Sequence, residues 1–227
     1  KGTPMKTVVF DLDGTLADTS GDLIAAANAC FRAMGEGDVL DARTDAGTAL
    51  KGGRAMLRLG LDRLGRGDDE ATIDKYYPLL LEAYAREIDT HTVLYPGAMA
   101  AVEALKAAGY RVAVCTNKPE ALAHTLLSRL GVREAFGAMV GADTLAIRKP
   151  DPEHLFETAR RAGGDPAMCL LVGDTDTDRK TATAAGVPCV LVSFGPSGAD
   201  MAALMPDALL DDYADLPEIV TRLIGAA

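Results

Sequence analysis

Short, β-branched apolar runs alternate along the chain with longer stretches of helical composition. Thr7-Val8-Val9-Phe10 is the first predicted strand, and it stops at a polar cluster that begins with Asp11. Further strands are predicted over Arg111 to Thr116, Ala138 to Gly141, Met168 to Val172 and Pro188 to Ser193. Their near-continuous apolar character suits strands buried on both faces, as in parallel sheets. Between them, Ala98 to Ala108, Glu120 to Leu130, Pro152 to Ala162 and Asp178 to Ala185 have the length and composition of helices. Gly109, Gly131, Gly163 and Gly186 follow these stretches, where a glycine favours helix termination. Strand-helix-strand alternation with short connections predicts an α/β fold built on a doubly wound parallel sheet, a Rossmann-like core.

One region departs from this rhythm. From Asp18 to about Thr90 no convincing strand occurs, while Asp22 to Met34, Thr48 to Leu64 and Glu70 to Glu87 read as helices. Gly35-Glu36-Gly37 and Gly65-Arg66-Gly67 separate them. A connection of this length is too long for a loop between neighbouring elements. The expected organisation is therefore a helical cap domain at 18–90, inserted into a discontinuous core of 1–17 and 91–227. The segment Lys1-Gly2-Thr3-Pro4 ahead of Met5 is left out of the fold expectation.

Composition narrows the function without choosing it. The 227 residues are 48% hydrophobic and 25% charged, enough apolar material for a core that needs no metal or disulfide to fold. The formal net charge of -10 comes with no basic cluster, which argues against nucleic acid as a partner. An anionic substrate would have to be drawn by a local site and a metal. No apolar run reaches the eighteen or so residues of a membrane span, and the N-terminus lacks a secretory-type apolar stretch, so no membrane partner is expected. Cys30, Cys115, Cys169 and Cys189 form no CxxC pair and read as small buried hydrophobes in a reducing, cytoplasmic setting.

Ligands of an open parallel sheet bind beyond the carboxyl ends of its strands. Those ends carry Asp11-Leu12-Asp13-Gly14-Thr15-Leu16, Thr116-Asn117-Lys118, Arg148-Lys149-Pro150-Asp151-Pro152 and Gly173-Asp174-Thr175-Asp176-Thr177-Asp178. Taken together, these four clusters resemble the motifs of the haloacid dehalogenase-like phosphohydrolases, in the same order and over essentially the whole chain. Within that superfamily, the wording DLDGTLADT and TNK and the helical insertion after the first motif resemble the phosphoglycolate phosphatase group.

The resemblance implies a chemistry and assigns residues to it. Asp11 would be the nucleophile that forms an aspartyl-phosphate, a recognised form of covalent catalysis. Asp13, on the same side of an extended segment, would be general acid and then general base, its backbone carbonyl a metal ligand. Asp11 and Asp174 offer hard oxygens that suit Mg²⁺. Asp178 would stand beside the metal or hold Lys149. Thr116 and Asn117 would bind the phosphoryl group, and Lys149 would offset its charge and restrain Asp11. The implied partner is a small phosphorylated metabolite, with 2-phosphoglycolate first.

Relatives with other chemistry leave alternatives open. Metal-independent dehalogenases usually lack the second aspartate that Asp13 provides. A sugar-phosphate phosphatase or a β-phosphoglucomutase-like phosphotransferase retains both. A phosphate-sensing protein with a dead site is the non-enzyme alternative, and a dehydrogenase would need a GxGxxG that is absent. In the cap, Lys51-Gly52-Gly53-Arg54 is a glycine-split break whose Arg54 guanidinium could bind a substrate carboxylate in a substrate-binding role. Asp176 reads as a solvated turn residue, His91, His124 and His154 as surface or satisfied core residues, and Met56 and Met99 as core filling.

Overall fold

The computed structural model describes residues 3–227. Lys1 and Gly2, half of the leader set aside above, lie outside the described residues. The chain opens with β1 (Thr7–Phe10) and β2 (Ala17–Asp18), then runs through α1 (Ser20–Ala33), α2 (Ala46–Ala49), α3 (Gly53–Arg63) and α4 (Glu70–Arg86) to β3 (Val93–Leu94). It continues through α5 (Ala98–Ala107), β4 (Arg111–Cys115), α6 (Glu120–Arg129), β5 (Ala138–Val140) and α7 (Pro152–Arg161). It ends with β6 (Cys169–Gly173), α8 (Asp176–Ala185), β7 (Cys189–Val192), β8 (Ala208–Leu210) and α9 (Leu216–Ile224). No helix among the described residues is long and apolar enough to cross a membrane.

Two compact units form: one from Leu94–Ala227 together with the chain up to Ala17, the other from Asp18–Val93. The first holds a six-stranded sheet in the order β5-β4-β1-β6-β7-β8, in which neighbouring strands are parallel. Val8, Val9 and Phe10 of β1 are all fully buried, which is why this strand is apolar at successive positions rather than alternate ones. Each such side chain contributes about 1.5–3 kcal/mol relative to an exposed one. Val9, Cys115, Leu171 and Leu191 share one core cluster with Leu155 and Ala159 of α7 and Ala182 of α8. The chain leaves β1 for β4 and β5 on one side, then crosses back to β6 and β7 on the other. That reversal at β1 is a topological switch point, where open α/β sheets bind ligands.

The second unit is helical. Asp22 is buried at the start of α1, and its carboxylate accepts hydrogen bonds from the backbone of His91 (2.9 Å) and Thr92 (2.9 Å) and from the Thr92 hydroxyl (2.8 Å). One buried anion thus closes the two ends of the unit on each other. Asn28 clips the backbone of Leu40 through both ends of its amide (2.9 Å each). The stretch Thr48 to Leu64, read above as one helical region, is divided into α2 and α3 by Gly52, whose φ of 103° lies in the left-handed region that favours glycine. Gly53 and Arg54 therefore belong to the first turn of α3 rather than to a break.

Candidate active site

The end of β1 is shaped by hydrophobic anchoring on either side of each aspartate. The Asp11 amide makes a last ladder bond to the Val172 carbonyl (2.9 Å), after which the chain curls so that the Thr15 and Leu16 amides donate back to the Leu12 carbonyl (3.2 and 3.0 Å). Leu12 and Leu16 are fully buried. With Leu12 driven into the core, Asp11 and Asp13 are left at the strand end, only partly buried. Asp11 Oδ1 accepts from the Leu12 amide at 2.7 Å. Thr15 donates its hydroxyl to Asp174 Oδ1 (2.9 Å), and its carbonyl accepts from the buried Tyr213 hydroxyl, which ties the loop to the distant C-terminal segment.

β4 delivers the second cluster. Thr116 is buried, and its Oγ1 accepts the Lys118 amide at 3.0 Å, which leaves the hydroxyl hydrogen to be donated elsewhere. Asn117 clips the Lys149 backbone: its Nδ2 donates to the Lys149 carbonyl (2.9 Å) and its Oδ1 accepts the Lys149 amide (3.1 Å). Lys118, given no role from sequence, is buried and donates from Nζ to Asp13 Oδ1 at 2.8 Å.

Lys149 lies beneath the aspartates. Its Nζ is 2.8 Å from Asp178 Oδ1, 2.9 Å from the Cys115 carbonyl and 3.3 Å from Asp11 Oδ1. Burial by itself would push this lysine down, but Asp11 and Asp178 outweigh it and hold the ammonium above the ordinary lysine range. The Lys149–Pro150 peptide bond is cis. His154 is fully buried against this segment: Nε2 is 2.8 Å from the Gly141 carbonyl, and Nδ1 accepts the Lys149 amide at 3.3 Å. Burial lowers its pKa, so it is a neutral imidazole with the proton on Nε2. His91 and His124 are exposed.

The fourth cluster turns directly into α8. The Thr175 side chain caps this helix by accepting the Asp178 amide, so the helix begins at Asp176, two residues earlier than expected. Asp176 is exposed in the first turn and pairs with Lys180 (3.1 Å). Asp178 points back instead: Oδ2 accepts from the Asp174 amide (3.0 Å) and the Thr175 hydroxyl (3.1 Å), while Oδ1 takes Lys149. A Cβ on Gly173 would lie 2.3 Å from the Asp178 Cγ, so this close approach needs glycine.

Asp11, Asp174 and Asp178 bring carboxylate oxygens within 4.8 Å of one another. Burial first, then Asp178, pushes Asp11 up to about 7, although Lys149 pulls the other way. Asp174 is raised well above the carboxylate range by burial and then by Asp11 and Asp178. Asp174 Oδ2 is buried with no hydrogen-bond partner among the described residues. A divalent cation fits this donor set: it would ligate the orphaned oxygen and offset an anionic charge that Lys149 alone does not balance.

Arg54, the site residue expected in the helical unit, is paired with Asp74 (2.8 Å) and stacked over the Tyr77 ring (4.8 Å to its centroid).

The chain is similar to known proteins over most of its length. The family profile of haloacid dehalogenase-like hydrolases matches residues 5–186. The phosphoglycolate phosphatase of Mesorhizobium japonicum is 41% identical over 224 residues, covering 97% of each chain. That of Rhodospirillum rubrum is 40% identical over 218 residues, covering 93% of this chain and 89% of the other. Among solved structures, a predicted phosphoglycolate phosphatase from Haemophilus somnus superimposes with a TM-score of 0.81 at 27% identity, covering 96% of this chain and 98% of that one. The chain belongs to the haloacid dehalogenase-like hydrolases, within their phosphoglycolate phosphatase-like group of phosphoric monoester hydrolases.

Proposed function

We propose that the protein is a Mg²⁺-dependent phosphatase that hydrolyses 2-phosphoglycolate through an aspartyl-phosphate on Asp11. The observation that carries this reading is the strand-end cluster itself: Asp11 stands 3.3 Å from the Lys149 ammonium, beside the orphaned Oδ2 of Asp174. The carboxylates of Asp11 and Asp174 and the backbone carbonyl of Asp13 would hold the cation. When bound, Mg²⁺ supplies positive charge that stabilises the phosphoryl oxygens and keeps Asp11 ionised.

The chain's own groups then divide the work. An Asp11 oxygen attacks phosphorus as the ester P–O bond breaks, and Asp13 gives its proton to the leaving oxygen. Asp13, now a carboxylate, takes a proton from a water that attacks the same phosphorus. That attack releases inorganic phosphate and returns Asp11 as carboxylate. Thr116 donates its hydroxyl to a phosphoryl oxygen, and Lys149 balances phosphoryl charge while Asp178 and Asn117 hold it in register. The four buried free cysteines favour a reducing compartment, which we take to be the cytoplasm.

The choice of 2-phosphoglycolate rests on the DLDGTLADT and TNK resemblance and on the similarity to phosphoglycolate phosphatases, and the chemistry does not depend on it. A panel of phosphorylated metabolites, assayed with Mg²⁺ and after chelation, tests both parts. The expected result is highest kcat/KM on phosphoglycolate, and activity that chelation abolishes and Mg²⁺ restores. Full activity after exhaustive metal removal contradicts the metal; a preference for hexose phosphates moves the substrate to the sugar-phosphatase or mutase reading.

A further inference from the structure

We propose that Lys118 selects esters that carry a carboxylate beside the phosphoryl group. This rests on the function proposed above and names the group that reads the far end of its substrate. Lys118 is an ammonium at the strand ends with only 4% of its side chain exposed, and it is 2.8 Å from Asp13 Oδ1. A lysine is expensive to bury unless it is paired, and the pairing here falls on Asp13, the aspartate that meets the leaving oxygen. Lys149, by contrast, is surrounded by Asp11, Asp178 and the Cys115 carbonyl. The two buried lysines thus divide the site: Lys149 attends the phosphorus side and Lys118 the leaving-group side.

The distances fit one class of leaving group. A bridging oxygen hydrogen-bonded to Asp13 lies one side chain away from the Lys118 ammonium, itself 2.8 Å from Asp13. In a phosphorylated 2-hydroxy acid the carboxylate carbon is two bonds from that oxygen, close enough for Lys118 to hold it while still paired with Asp13. An ammonium has three hydrogens, so one can stay on Asp13 Oδ1, while the other Asp13 oxygen carries the proton for the leaving group, and another can reach the substrate carboxylate. The lysine is also fixed in place: its amide donates to Thr116 Oγ1 (3.0 Å) and its carbonyl accepts the Ala142 amide (2.9 Å). A rigidly delivered cation discriminates better than a mobile one because less ordering is needed on binding.

A matched pair of substrates tests this with the full-length enzyme in Mg²⁺. Phosphoglycolate and 2-hydroxyethyl phosphate share the phosphoryl group and the adjacent methylene, and differ in carboxylate against hydroxymethyl. The readout is the ratio of their kcat/KM values. In Lys118→Met this ratio should fall about ten- to a hundredfold, the range of a charged hydrogen bond. Lys118→Gln, which keeps a donor for Asp13, should give a similar fall if the methionine disturbs folding, and Lys118→Arg should recover part of the preference. An equal loss on both esters overturns the inference, because Lys118 would then only support Asp13. A ratio that survives in the Lys118 variants but collapses in Arg54→Ala also overturns it, in favour of recognition from the helical unit. Wild-type enzyme without preference between the two esters removes the substrate reading itself.

Discussion

The chemistry of this site is concentrated in four carboxylates and two ammonium groups, and their burial has a measurable consequence. Asp11 is held near 7 in the absence of metal, against about 3.8 for an ordinary aspartate, first by burial and then by Asp178. Between those two values the folded chain keeps a proton that the unfolded chain has lost, so stability falls as pH rises through this window and levels off above it. In divalent-free buffer, Asp11→Asn should therefore flatten the dependence of unfolding free energy on pH between about 4 and 7. Removal of Asp11 also relieves Asp174, whose own raised value partly comes from it. Denaturant unfolding at a series of pH values reads this directly, and parallel curves for the two proteins would show that Asp11 is not strained in this way. Most of these residues were legible in the sequence because each follows an apolar run, where a parallel sheet leaves its polar ends. Lys118 ends one of those polar clusters, yet its sequence context points to no role. Its partner Asp13 is 105 residues away, and nothing local separates a paired lysine from a solvated one.

At the scale of elements, the turn from β6 into α8 sets the position of Lys149. Gly173 leaves room for the Asp178 carboxylate to fold back under the strand end, 2.3 Å from where a Cβ would be. Gly173→Ala should force that carboxylate away and loosen Lys149. The expected cost is about 1–3 kcal/mol of stability from overpacking and a loss of turnover of about a hundredfold from misplacement. Thermal unfolding and steady-state kinetics measure the two effects, and unchanged kinetics would mean that Asp178 does not position Lys149. Helix α8 starts two residues before the expected Asp178, because the Thr175 cap commits the chain to helix where Asp176 by itself resembles a turn residue. Strand β8 and helix α9 were not anticipated. Ala208–Leu210 is apolar throughout, but three residues between Asp207 and Asp211 are too short a run to separate a strand from a loop.

Over the whole molecule, the apolar pattern announces a parallel sheet but not the order of its strands. That order matters, because β1 lies between β4 and β6, with Phe10 in register with Val114 on one side and Val172 on the other. This register brings Asp11, and Thr116 and Asp174 one residue further along, to the same end of the sheet from three distant parts of the chain. Local periodicity carries no information about such pairings, whereas the alternation of strands and helices and the long helical insert do appear in it. The most direct test of the account is to quench the enzyme in acid during turnover of phosphoglycolate with Mg²⁺ and to map phosphorylated peptides by mass spectrometry. The account predicts one phosphoryl group on the peptide that contains Asp11, removed by hydroxylamine as an acyl phosphate should be. A phosphoryl group on another side chain, or an unmodified Asp11 peptide while a burst of glycolate precedes phosphate, would contradict it.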